Sequence, residues 1–196
     1  MNVFKNTIIS VLLGISIVGT QAQAGGQHGG GGNIGKDNGV TFENVESMIV
    51  NIKPLVKAAL FKLETVSYFF EQKFKKGEDK YSQISAPYMA LFDHDTGKSV
   101  YPVLDKIIFK VTREACRDGK GVEVDASVEN VGIDEICLSS TRIAGQSASS
   151  QELPRKLVGI IVHELVHKMG VRDETVALGA AAMVGSEYYT IVPPDR

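Results

Sequence analysis

The chain has no surplus of basic charge. Lysine and arginine number 21 against 23 aspartates and glutamates, giving a net charge of −2, and no basic cluster stands out. A nucleic-acid partner or an anionic membrane face is therefore not expected. The apolar stretch Thr7–Gly19 (TIISVLLGISIVG) is too short to span a bilayer comfortably, so no permanent anchor is expected either. Only two cysteines occur, Cys116 and Cys137, and neither has a CxxC-type neighbour. That speaks against cysteine ligation of a metal. Histidine is scarce as well, with four in 196 residues.

What is present suits one exported domain. The 43% hydrophobic content can build a core, and 22% charge is ordinary. Lys5 precedes the apolar run and Ala22-Gln23-Ala24 follows it, so residues 1–24 read as a signal peptide cleaved near Ala24. The mature protein is expected to be periplasmic or secreted. In that setting Cys116 and Cys137 should pair, closing a loop of about 20 residues worth roughly 3 kcal/mol. Residues 25–40 are glycine-rich and read as a flexible segment, with His28 solvated inside it.

Residues 41–196 read as a single α+β domain. Apolar residues recur at three- and four-residue spacing from Val45 to Phe74, so 41–77 is expected to be helical, with Pro54 kinking or dividing it. The Phe69, Phe70 and Phe74 stripe is read as core. Tyr81–Ser99 shows few periodic signals, and Asp93-His94-Asp95 reads as a polar turn. Strands are expected at Ile107–Val111, Val122–Val128 and Ile136–Leu138, forming a short, largely antiparallel sheet. Ser139–Gln151 reads as a loop. A helix should start between Gln151 and Pro154 and stop at Gly170. A last helix should run from Glu174 to Tyr189, with Asp173 placed to cap it.

The first of these two helices carries the chemistry. Ile160–His167 contains His163-Glu164-Leu165-Val166-His167, an H-E-x-x-H pattern. Residues four apart lie about 40° apart around a helix and about 6 Å along it, so both imidazoles can reach one cation. Glu164 sits beside them, within reach of the proton of a metal-activated water. A catalytic zinc takes a third protein ligand and leaves its fourth position open. Two carboxylates compete for that place, Asp173 and Glu174.

On these residues the chain resembles the zincin metallopeptidases. His163-Glu164-x-x-His167-x-x-Gly170-x-x-Asp173 is similar to the metzincin spacing, where the residue after the glycine turn is the third ligand. Glu174-Thr175-Val176-Ala177 resembles the gluzincin arrangement, where a glutamate on the next helix fills that role. Lys168 departs from both, because these families usually carry an uncharged residue there. The resemblance implies a small zincin-like domain holding Zn²⁺ on His163, His167 and either Asp173 or Glu174. It also implies Glu164 as general base in peptide-bond hydrolysis, on a peptide or protein substrate. Tyr188 and Tyr189 are the nearest candidates for stabilising an oxyanion. The alternative is a non-catalytic exported protein with a zinc-stabilised scaffold, which calls for a fourth protein ligand or a covered metal. Oligomeric state is left open by the sequence.

Overall fold

The computed structural model describes residues 39–71, 79–93 and 96–191, with side-chain placement for 39–65, 85–93 and 96–185. The expected signal peptide, most of the glycine-rich run with His28, the His94-Asp95 pair and Phe74 lie outside the described residues. So do the side chains of Phe69, Phe70, Tyr188 and Tyr189.

Thr41 opens helix α1 (Phe42–Val50). Its hydroxyl accepts the Asn44 amide, and the Asn44 side chain accepts the Thr41 amide in return. This is a reciprocal cap with asparagine where glutamate is commoner. The helix ends at Asn51 and α2 (Ile52–Glu71) starts afresh, with Pro54 in its first turn. There the missing amide hydrogen costs no helix bond, so the proline divides the run instead of kinking it. Val45 and Ile49 of α1, and Ile52, Val56, Leu60 and Leu63 of α2, are buried in the main core.

Helix α3 (Asp79–Leu91) occupies a stretch whose mixed polarity concealed it, and it carries Pro87 internally. Strands β1 (Phe92–Asp93) and β2 (Lys98–Ser99) then form a small antiparallel pair. Thr96 donates from its amide and its hydroxyl to the Asp93 carboxylate, closing the polar turn. After α4 (Tyr101–Lys106) come β3 (Ile108–Thr112), β4 (Cys116–Arg117), β5 (Glu123–Val124), β6 (Ala126–Ser127) and β7 (Glu135–Ser139).

The single strand expected over Val122–Val128 is broken at Asp125. Its first half, β5, pairs with β4, and its second half, β6, pairs with β7. Asp125 marks the switch: its carboxylate accepts from Arg142 and Gln146, and its carbonyl from the Ser139 amide. The main sheet has the order β3-β7-β6. Pairing is antiparallel everywhere except β3–β7, the longest pairing, which is parallel with Ile108 opposite Glu135 and Thr112 opposite Ser139. A parallel pair needs a long crossover, and here the β4–β6 segment supplies it. Cys116 of β4 and Cys137 of β7 form a disulfide, their Cα atoms 5.9 Å apart.

The loop expected over Ser139–Gln151 is in part a helix, α5 (Ser140–Gln146). Its serines act at the ends, where hydroxyls suit a helix. Ser139 accepts the Arg142 amide, and the Ser147 hydroxyl donates to the Ile143 carbonyl. Ile143 and Ala144 are buried, and that packing outweighs the polar composition.

Helix α6 (Leu153–Lys168) is the central element. Leu157, Val158, Ile161, Val162, Leu165 and Val166 are fully buried, because α6 packs against α2, α4, β6 and α7 (Glu174–Ile191) at once. Ala177, Ala180 and Val184 line the buried side of α7. A Cβ on Gly179 would stand 2.7 Å from Pro87, so only glycine admits α3 so close to α7. The architecture is α+β. Among the described residues, no helix is long and apolar enough to cross a membrane.

Candidate metal centre

Local rules bring α6 and α7 together. Pro154 sits in the first turn of α6. Gly170, at φ +92°, ends the helix in a conformation that side chains resist, and its amide donates to the His167 carbonyl at 2.9 Å. The Val171 amide reaches back to the Val166 carbonyl at 3.3 Å. Asp173 then caps α7, its Oδ1 accepting the Thr175 amide at 2.8 Å and the Val176 amide at 3.3 Å.

Glu174 is the first residue of α7, and its side chain returns to α6. Its Oε2 lies 3.3 Å from His163 Nε2 and its Oε1 lies 3.5 Å from His167 Nε2. The two Nε2 atoms are 3.0 Å apart. Among the described residues these three form the cluster of three or more His, Cys, Asp or Glu side chains whose donor atoms converge, and no fourth joins them. Of the two competing carboxylates, Glu174 faces the histidines and Asp173 faces the amides of its own helix.

The donor set suits a cation. The Val171 carbonyl can only accept, and it lies 2.8 Å from His167 Nδ1. Nδ1 therefore donates to it, and in the neutral ring this tautomer turns the Nε2 lone pair to the cluster. Two ligands about 2.1 Å from a tetrahedral zinc lie roughly 3.4 Å from each other. The observed separations of 3.0, 3.3 and 3.5 Å bracket that value. His163 lacks an anchor like that of His167: its Nδ1 is buried without a hydrogen-bond partner. Burial, and then the neighbouring His167, hold its imidazole below its ordinary pKa, which keeps a lone pair available.

Glu164 is not one of the converging donors and is only 7% exposed. Burial, and then the charge of Glu174, push its carboxyl up to about 8, against the opposing pull of a hydrogen bond from the Val128 backbone. Val128 directly follows β6, so the sheet forms the wall against which Glu164 rests. The Lys168 ammonium donates to the carbonyls of Val128, Gly132 and Ile133 at 3.4, 3.2 and 3.0 Å.

Sequence reasoning missed three groups here: the Val171 carbonyl, the Val128 amide and Lys168. The first two are backbone groups with no letter of their own. Lys168 was visible only as an odd charge beside the second histidine. Comparison with known protein families, curated proteins and solved structures finds no match to this chain.

Proposed function

We propose that this protein is an exported zinc-dependent peptidase of the zincin type. One observation carries the reading: His163, His167 and Glu174 converge within 4.8 Å at a helix hairpin, with Glu164 buried beside them. Three donors without a fourth protein ligand among the described residues match the pattern of a catalytic site more closely than that of a closed structural one.

His163, His167 and Glu174 would hold the zinc, which would supply Lewis acidity at a scissile carbonyl and acidify a water. A cation there would also favour the Glu164 carboxylate over its neutral form. Glu164 would then accept a proton from the attacking water and pass it to the leaving amine.

The test is zinc-loaded mature protein, assayed on casein and mixed peptide libraries beside Glu164→Gln. The variant should keep its zinc and lose roughly 10²–10⁴ in rate. Equal inactivity of both proteins with zinc bound would sink the peptidase reading and leave a zinc-stabilised scaffold in its place.

A further inference from the structure

A lysine directly after a metal-binding histidine looks like a liability, since its charge opposes the cation. The structure shows where that charge goes. The ammonium has three N–H donors and meets three carbonyls, those of Val128, Gly132 and Ile133. All three belong to the β6 exit and the loop that follows it. Glu164 and Lys168 are four residues apart on α6 and so share a face. Glu164 is buried, α6 packs against β6, and the Val128 carbonyl at the exit of β6 accepts from Lys168.

The same loop is tied at its far end, where the Gly132 amide donates to Glu135 at 3.0 Å and the Asp134 carbonyl accepts the Ile108 amide at 2.7 Å. Its side facing α6 is held by Lys168. Without that contact, three carbonyls would lose a charged donor and the β6 exit would be free to drift from α6.

We propose that Lys168 is a positioning residue: it latches the β6 exit onto α6 and so fixes the wall beside Glu164. This rests on the peptidase reading for its catalytic consequence, but the latch itself is testable without turnover. Two variants of the zinc-loaded full chain decide it, Lys168→Met and Lys168→Arg. In Lys168→Met, hydrogen exchange at the Val128 amide should accelerate at least about tenfold, while amides of β3 and β7 stay within about twofold. Zinc affinity should also stay within about twofold. The rate constant kcat should fall roughly tenfold with KM unchanged, as expected when a reacting group is misplaced by a fraction of an ångström. Lys168→Arg, which keeps a multivalent donor, should restore both the exchange protection and most of kcat. Unchanged exchange at Val128 in Lys168→Met overturns the latch. So does acceleration spread evenly over the sheet, which would mark Lys168 as a general fold contact. If wild type does not turn over at all, the peptidase reading falls while the exchange comparison still decides the latch.

Discussion

The site is built from two pieces made in different ways. One is the helix hairpin of α6 and α7, which supplies all three donors from the span between His163 and Glu174. The other is the wall formed by the β6 exit and the loop to Ile133, which supplies backbone groups brought from some forty residues upstream. The hairpin places its groups by helical period, a glycine stop and a cap, all local devices. The wall places its groups by sheet pairing and by a lysine reaching across. On the proposed reading, the first piece would decide whether a cation binds, and the second would decide the environment of the acid–base group.

The largest effect should come from breaking the hairpin. Removing a donor through His167→Ala or Glu174→Ala should weaken zinc binding by more than the roughly 10–100-fold typical of groups that only support ligands. His167→Ala should be the worse of the two, because Glu174 has a side chain 64% exposed and water can stand in for it. Chelator competition measures both. Equal, negligible losses would mean that the trio does not hold the metal.

A second, smaller effect separates the wall. In chelator-stripped protein, folded Glu164 keeps its proton up to about pH 8, whereas in the unfolded chain it ionises near 4.5. The folded form then binds more protons between those values, so stability falls as pH rises through that window and levels off above about 8. His163, held neutral in the fold, contributes the opposite slope, but only below its ordinary value of 6.5. From pH 6.5 to 8 the Glu164 slope should therefore stand alone, at up to about 1.4 kcal/mol per pH unit. Denaturant melts should show it in wild type and not in Glu164→Gln. A flat wild-type profile would mean that the wall does not desolvate the carboxyl.

The smallest effect distinguishes the two neighbouring carboxylates. Asp173→Asn keeps a capping oxygen and should leave zinc affinity unchanged. Asp173→Ala should lose about 1 kcal/mol of stability through the missing cap. A large loss of zinc in Asp173→Asn would make Asp173, not Glu174, the third donor.

How far each piece could be read follows from how it is made. His163, Glu164, His167, Gly170 and the start of α7 were legible because their geometry is local. The disulfide between Cys116 and Cys137 was legible from an even cysteine count in a chain expected to be exported, and it is formed. The choice between Asp173 and Glu174 was not legible, because both suit a helix N-terminus and only the direction of each side chain separates them. Helices α3 and α5 were hidden by Pro87 and by serine-rich composition, both overridden by packing. The parallel pairing of β3 with β7 was hidden because alternation along a strand does not reveal its partner's direction. The wall escaped altogether: an amide donor looks the same in every letter but proline.

The disulfide takes on another meaning once the wall is in view. Cys116 and Cys137 enclose Val128, Gly132 and Ile133, so every group that Glu164 and Lys168 hold from the sheet side lies within one covalent ring. The donors on α6 and α7 lie outside it. On the proposed reading the two halves of the site would therefore answer to different reagents: a chelator would act on the hairpin, and a thiol reductant on the wall.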